Sequence, residues 1–209
     1  TGLRFKLDYL GDIDNKELSK TLETINSQSQ YLSKTIDDFR DFFKSSDNNP
    51  KKYISSKAII EKSLNVTRDA LQNNHIKIEQ KVEDFKFKTH DNLLVQALIN
   101  IINNTKDAIT LNNIDIENRR IILECYEENN IKVFKITDFA GGINEDLIQK
   151  VFEPYFTTKH NSIGTGIGLY MTHQIIKKHL NGDVIVKNIY FQDDKKVIKG
   201  VSFKILLNC

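Results

Sequence analysis

The chain has 209 residues, of which 39% are hydrophobic and 28% charged, an ordinary composition for a soluble globular protein. Lys and Arg number 30 against 28 Asp and Glu, and the net charge of +2 argues against a nucleic-acid-binding or membrane-binding surface. Two cysteines exclude a disulfide framework, and no apolar run reaches the ~18 residues of a membrane span. We expect a cytoplasmic protein. Because Met171 is the only methionine, we also expect a fragment whose membrane contact, if any, lies upstream.

Residues 12–46 are predicted to form one long helix. Asp14 and Glu17 have the spacing of a capping box. Two readings stay open, a helix packed on its own domain and part of a helical hairpin that dimerises the chain. Pro50 ends this segment, which predicts a hairpin region over 1–46, a linker over 47–52 and a second domain over 53–209. The heptad seam consists of Leu18, Leu22, Ile25, Ser29, Leu32, Ile36, Phe39 and Phe43.

From residue 53 onward, helical and strand periodicities alternate. Alternating polar and apolar residues predict strands over 75–82, 85–89, 119–128, 131–138, 183–191 and 201–207. The last two strands are predicted to form a hairpin that turns at Asp193–Asp194. Helices are predicted over 56–72, 91–110, 144–150 and 166–179. These elements predict an α+β fold, a two-layer α/β sandwich with one mixed sheet covered by helices on one face.

The helix predicted over 91–110 has an unusual polar face. Asn100, Asn103, Asn104 and Asp107 fall opposite its apolar stripe. Asn disfavours helix, so a solvated face would normally carry Lys and Glu instead. Carboxamide oxygens suit Mg²⁺ that keeps its waters and substrate phosphates. The alternative is an Asn-rich surface in an Asn-rich protein, and the helix alone does not decide between them.

Two glycine-containing segments mark further candidate positions. Asp138 ends a strand and is followed by Gly141–Gly142; such an aspartate often caps a loop, but it can also accept a hydrogen bond from an exocyclic amine such as that of adenine. In "GTGIGL" (164–169), glycines alternate where a helix begins, which exposes amides to phosphate. The segment lacks the Lys-Ser/Thr of a Walker A loop, and the five histidines have no metal spacing.

Four segments, taken in order, resemble the motifs of one family. "NIINN" (100–104) is similar to the N box, "DFAGGI" (138–143) to the first glycine box, "FEPYFTTK" (152–159) to the F box and "GTGIGL" to the second glycine box. Together they resemble the catalytic ATP-binding domain of bacterial sensor histidine kinases, in the family that includes gyrase, Hsp90 and MutL. The resemblance covers nearly the whole chain, because the 12–46 helix is similar to the second helix of the dimerisation and phosphotransfer hairpin. It implies a Bergerat-type ATP-binding fold.

The resemblance also implies roles for single residues. Asn104 would hold Mg²⁺, Asn100 would support the phosphate region, Asp138 would accept from the adenine amine, and Gly142 would let the main chain approach the base. Residues 157–165 would form a mobile ATP lid that orders with the nucleotide. The purine pocket would be lined by Ile143, Val151, Phe156, Leu169 and Phe203. The rest of the ATP site would comprise Thr165, Gly166, Ile167 and Gly168, with Asp107 and Lys159.

Asn100 separates the subfamilies within this resemblance. The ATP-hydrolysing relatives carry Glu at this position as a general base, whereas Asn cannot accept a proton, so the γ-phosphoryl is kept for another acceptor. The implied function is transfer to a histidine and then to a response-regulator aspartate, in a homodimer. No histidine precedes His75, so we predict that this chain does not phosphorylate itself.

Two other readings remain at this point. An ATP-driven clamp of the gyrase or Hsp90 type lacks support because Asn100 replaces the base. A degenerate nucleotide-binding scaffold is favoured by Phe139, which stands where the family usually has Asn and would remove a polar side chain near the nucleotide. Asp107 matches the "DA" form of the N box, at a position that other subgroups fill with a basic residue. Lys159 would supply positive charge from the lid.

Overall fold

The computed structural model describes residues 18, 19, 21–26, 29, 33, 50–159, 164–193 and 196–208. Residues 18, 19, 21–26, 29 and 33 are helical, as the 12–46 helix prediction requires. The rest of that helix, the capping box, most of the proposed linker and lid residues 160–163 lie outside the described residues. Within the described residues, no helix is both long and apolar enough to cross a membrane.

A five-stranded mixed sheet forms one layer of the fold, in the order β2-β4-β5-β7-β6. Strand β2 pairs with β4 in parallel, and every other pairing is antiparallel. The Cα pairing of Asp193 with Lys196 confirms the predicted hairpin, although the turn residues 194–195 are outside the described residues. The strands are β2 (Lys77–Val82), β4 (Arg120–Glu128), β5 (Ile131–Asp138), β6 (Gly182–Asp193) and β7 (Lys196–Leu207).

Strand alternation gives the sheet one apolar and one more polar face. On the inner face Leu123 pairs with Ile136, which pairs with Phe203, and all three are buried in the core. On the outer face the neighbouring pair Glu124 and Lys135 forms an ion pair of 2.7 Å. The inner face is therefore the one that the helices cover, which confirms the predicted two-layer α/β architecture.

Two long helices and two short ones make the second layer. The long helix α2 contributes buried Leu94, Leu98 and Ile101 to the core, the apolar stripe predicted from its sequence. Ser55 caps α1 by accepting a hydrogen bond from the Ala58 amide at 3.1 Å. The helices are α1 (Ser56–Asn73), α2 (Asp91–Leu111), α3 (Glu145–Ile148) and α4 (Gly168–Gln174), the last continued by a π-helical turn over Ile175–His179.

The prediction of one sheet is wrong, because a separate two-stranded ribbon joins β1 (Lys52–Ser55) to β3 (Lys86–Thr89). Strand β1 has only four residues and its two apolar residues are adjacent, so no alternation marked it, and it begins inside the proposed linker. Buried Asp91 secures the ribbon to the helices, since its carboxylate lies 3.0 Å from the Lys52 ammonium and 2.7 Å from that of Lys62. The helices predicted over 144–150 and 166–179 are shorter at their ends, and Gly166 has a φ of 65° that no α-helix allows.

Candidate nucleotide-binding site

Asn100 and Asn104 lie one turn apart on α2, and both are half-buried. The Asn104 Nδ2 group donates to the main-chain oxygen of Asn100 at 2.9 Å. Asn100 Nδ2 donates to the Gly168 carbonyl at 3.3 Å, which joins α2 to the start of α4. The asparagines therefore face the 164–168 glycine segment, and the reading of a solvated Asn-rich surface is wrong for this helix.

Asp138 is a buried carboxylate at the end of β5, with 2% of its surface exposed. Its Oδ1 accepts hydrogen bonds from the amides of Ala140 at 3.0 Å and Val201 at 3.3 Å. Burial raises the pKa of Asp138 to about 6, although these amides and the Thr105 hydroxyl favour the charged form. Near neutral pH the group is a carboxylate able to accept another hydrogen bond.

Thr105 follows Asn104 on α2 and lines the same cavity as Asp138. It is 1% exposed, and its hydroxyl lies close enough to lower the pKa of Asp138. Its Oγ1 nevertheless makes no hydrogen bond of ordinary geometry to the part of the chain that the structure describes. Sequence reasoning missed this residue; the only signal was a Thr inside the apolar stripe. A ligand with polar edges would satisfy its hydroxyl.

Phe139 lies away from the cavity, contrary to the expectation that it stands near the nucleotide. Its ring is 5% exposed and packs edge-on against Phe191, with centroids 5.8 Å apart. The Arg120 guanidinium lies 4.5 Å from the same ring, a cation–π contact. Phe139 therefore anchors the turn after β5 to the sheet and leaves the wall of the cavity to its neighbours.

The loop after Asp138 is held by the β6–β7 hairpin. Asn188 Oδ1 accepts from the Ile143 amide at 2.8 Å, and Asn188 Nδ2 donates to the Ile143 carbonyl at 2.7 Å. Gly142 has a φ of 80°, and a Cβ there would collide with Lys199 and Asn188. Sequence reasoning missed Asn188 and Lys199, which are distant in the chain from the loop they position.

The aromatic segment 151–156 is joined to the second glycine box by the main chain. The Tyr155 amide donates to the Gly166 carbonyl at 3.1 Å. Gly166 needs its positive φ, and any side chain would strike the backbone of Tyr155 and Phe156. Nearby, Thr165 and Ile167 are buried, with the Ile167 amide donating to Thr165 Oγ1 at 3.3 Å. The two ends of the predicted lid are thus fastened together.

Lys159 reaches from this segment to the polar face of α2. Its Nζ lies 3.2 Å from Asn104 Oδ1 and 2.7 Å from Asp107 Oδ2. Burial alone would raise the pKa of Asp107, but Lys159, with a smaller contribution from Lys106, holds it below its ordinary value. Asp107 is therefore an ionised carboxylate beside the asparagine that was predicted to hold Mg²⁺.

These elements enclose a cavity of about 150 Å³ between α2, the sheet and the 151–159 segment. The residues that lie outside its lining are Asn100, Asp107, Thr165, Gly166, Ile167 and Gly168. Two of them contact lining residues, since Asn100 accepts from Asn104 and Asp107 pairs with Lys159. Lining residues that the sequence did not predict are Thr105, Ala108, Ala140, Leu147, Thr157, Thr158 and Val201. The predicted residues that line it are Asn104, Asp138, Gly142, Ile143, Val151, Phe156, Lys159, Leu169 and Phe203.

Residues 89–208 match the family described as histidine kinase-, DNA gyrase B- and HSP90-like ATPase. The chain is 30% identical over 136 residues to the two-component sensor PprA of Pseudomonas aeruginosa, a match covering 63% of this chain and 14% of PprA. It is 31% identical over 134 residues to the sensor histidine kinase ZraS of Salmonella typhi, covering 63% of this chain and 27% of ZraS.

The fold is similar to that of the mycobacterial sensor histidine kinase MprB, with a TM-score of 0.61 and 22% identity over 75% of this chain and 96% of that structure. The chain spans less than a third of the length of PprA or ZraS. The family match covers more than half of the chain and includes Asn100, Asn104, Asp138 and the 164–168 glycines. The chain therefore belongs to the family of histidine kinase-, DNA gyrase B- and HSP90-like ATPases.

Proposed function

We propose that this domain binds ATP with its adenine in the cavity and supplies the γ-phosphoryl group to a histidine, from which it passes to an aspartate of a response regulator. The observation that carries the proposal is the buried Asp138 carboxylate beside the buried Thr105 hydroxyl, in a cavity whose other lining residues are mostly apolar. A carboxylate accepts a hydrogen bond from an exocyclic amine, and the hydroxyl can donate a hydrogen bond to a ring nitrogen of the base. Such a pair recognises adenine by its donor and acceptor pattern.

Mg²⁺ is proposed as the metal that accompanies ATP, and it would neutralise charge on the phosphates. Asn104 Oδ1 and the Asp107 carboxylate are the oxygen donors that fit it, because they lie on one helix face and already share a cationic partner in Lys159. Among the described residues no cluster of three or more His, Cys, Asp or Glu side chains could hold a metal by itself. That fits a metal held mainly by phosphate and water.

Asn100 supports phosphotransfer rather than ATP hydrolysis. Its carboxamide donates to the Gly168 carbonyl and has no basic site that could take a proton from water. Water entering the site therefore gains no general base from this position, and the phosphoryl group remains available to another acceptor. This separates the proposal from an ATP-driven clamp of the gyrase or Hsp90 type.

The rival of another class is a scaffold that dimerises and transfers nothing. Its main support was Phe139, and that ring packs on Phe191 and Arg120 outside the cavity. Homodimerisation is itself part of our proposal, because Leu22 and Ile25 of the heptad seam expose 56% and 55% of their surface in the single chain. We place the protein in the cytoplasm, where ATP and response regulators are found.

Calorimetry with Mg²⁺ and a non-hydrolysable ATP analogue tests the proposal. We expect micromolar-range binding by the wild type and no measurable binding by Asp138→Asn. Asp69→Asn is the matched control, since Asp69 is exposed on α1 and far from the cavity lining. A wild type that binds no nucleotide would contradict the proposal and favour a scaffold that has lost nucleotide binding.

We further propose that the chain does not phosphorylate itself, because no histidine precedes His75. Incubation with γ-labelled ATP should leave the chain unlabelled. Label that is stable in alkali and appears on this chain would contradict this part of the proposal without affecting nucleotide binding.

A further inference from the structure

The Lys159 ammonium occupies the place beside the oxygens that are the best metal ligands of the site. It lies 3.2 Å from Asn104 Oδ1 and 2.7 Å from Asp107 Oδ2, and 17% of its side chain is exposed. A side-chain cation of the protein, Lys159, therefore contacts the oxygen pair formed by Asn104 Oδ1 and Asp107 Oδ2. Lys106 also contacts Asp107, at 3.1 Å. It directly precedes Asp107 on α2, so this contact does not join α2 to another segment.

A metal ion and this ammonium would compete for the oxygen pair. Mg²⁺ binds oxygen at about 2 Å, so an ion on Asn104 Oδ1 would lie within about 5 Å of Nζ as it now stands. That separation is well inside the ~8 Å over which physiological salt screens charge. Both are positive and both bind the same two oxygen atoms, so their repulsion makes the binding of one favour the departure of the other.

The cavity is too small for a whole nucleotide. At about 150 Å³ it is about as large as cavities that hold a single aromatic ring, and smaller than the ~300 Å³ at which sites for larger ligands begin. Thr157, Thr158 and Lys159 form part of its lining, and the Lys159 amide donates to Thr157 Oγ1 at 3.1 Å. The side chain of Lys159 thus belongs to a segment that forms part of the wall of this small cavity.

We propose that the Lys159 ammonium and a divalent cation are alternative occupants of the Asn104–Asp107 oxygen pair, so that metal-bound nucleotide enters by displacing Lys159. This inference rests on the proposed function and adds an internal competitor to it. Lys159 holds the 157–159 segment against α2 in the ligand-free protein and is released when the metal takes its place. Asp107 then changes partner from ammonium to metal.

The test compares nucleotide affinity with and without metal. The dissociation constant of the ATP analogue is measured by calorimetry in EDTA and in excess Mg²⁺, and the ratio of the two constants reports the contribution of the metal. Lys159→Met should raise this ratio about tenfold relative to the wild type, the size of one charge-assisted hydrogen bond. Lys159→Arg, which keeps the charge, should leave the ratio near the wild-type value.

Lys106→Met is the matched control, because it removes one positive charge next to Asp107 without touching the 157–159 segment. Its ratio should stay within about twofold of the wild type. An unchanged ratio in Lys159→Met overturns the proposal, and so does an equal rise in Lys106→Met, which would reduce it to general electrostatics. Failure of the wild type to bind nucleotide in either buffer instead overturns the proposed function, and this inference with it.

Discussion

The two ends of the site are built differently. At the adenine end, Asp138 is fixed by the amides of Ala140 and Val201, and the following loop is held by Asn188. At the phosphate end, the principal contact is an ion pair between two side chains, Lys159 and Asp107. Buried hydrogen bonds between a side chain and the backbone are little screened by salt, whereas a partly exposed ion pair is readily exchanged. The proposed base site is therefore held by fixed hydrogen bonds, whereas the proposed phosphate site is held by an ion pair that another cation can replace.

Asp138→Asn should have the largest effect on nucleotide binding. The carboxamide still accepts from Ala140 and Val201, but its NH₂ group opposes the exocyclic amine of the base. We expect nucleotide affinity to fall about 100-fold or more, the cost of an unpaired buried donor and a lost charged hydrogen bond. Calorimetry measures the loss, and a residual affinity within tenfold of the wild type would show that Asp138 does not read the base.

The same substitution should stabilise the ligand-free protein in a pH-dependent way. The folded-state pKa of Asp138 is about 6 against 3.8 for the free side chain, so the folded state binds the proton more tightly than the unfolded state. Stability from this group is complete below pH 3.8 and is lost as the pH rises through about 6.

Above that pH the carboxylate destabilises the wild type by about 3 kcal/mol, at 1.36 kcal/mol for each pKa unit. Urea unfolding at pH 4 and pH 8 should therefore show Asp138→Asn gaining about that amount only at pH 8. Equal gains at both pH values would contradict the raised pKa.

Asn104→Ala should act on the phosphate end alone. It removes the Oδ1 atom that Lys159 contacts and that we assign to the metal. We expect the affinity for nucleotide in EDTA to stay within about threefold of the wild type, while the gain on adding Mg²⁺, about tenfold or more, disappears. Asn103→Ala is the matched control, since Asn103 does not line the cavity.

Asn188→Ala should loosen the base site without touching the base. Its carboxamide makes two hydrogen bonds to the Ile143 main chain, and their loss should cost about 1–2 kcal/mol of stability. Nucleotide affinity should fall about fivefold, equally with and without Mg²⁺. An effect confined to the Mg²⁺ condition would mean that the two ends are coupled through this hairpin.

Phe139→Leu should have the smallest effect on binding. The substitution removes ring contacts with Phe191 and Arg120, and a loss of about 1–2 kcal/mol in stability is expected. Nucleotide affinity should change less than twofold, because the ring does not line the cavity. A tenfold change in affinity measured by calorimetry would indicate that Phe139 does contribute to the nucleotide site.

Local patterns carried much of the prediction. The apolar stripe of α2 and the alternation of β4 and β5 appear where the periodicity placed them. Asn100 and Asn104 on one helix face and Asp138 at a strand end follow from those elements. Each of these statements depends on side chains within one or two turns or strands, for which the chain's own geometry suffices.

Contacts between distant residues could not be predicted in the same way. The β1–β3 ribbon joins Lys52 to Thr89, Asn188 bonds Ile143 across 45 residues, and Lys159 bonds Asp107 across 52. Thr105 lies within the apolar stripe of α2, and only the folded structure shows that its hydroxyl lines the cavity. No period in the sequence records which of many lysines meets which carboxylate.

The helices, most of the strands and the order of the motif residues along them follow from local periodicity, because the backbone repeat needs no tertiary partner. The positions of Phe139 away from the cavity, of Asn188 on the loop after Asp138 and of Lys159 against the Asn104–Asp107 oxygens are visible only in the folded chain. These are meetings of side chains far apart in the chain, and they exist only once the sheet and helices have packed.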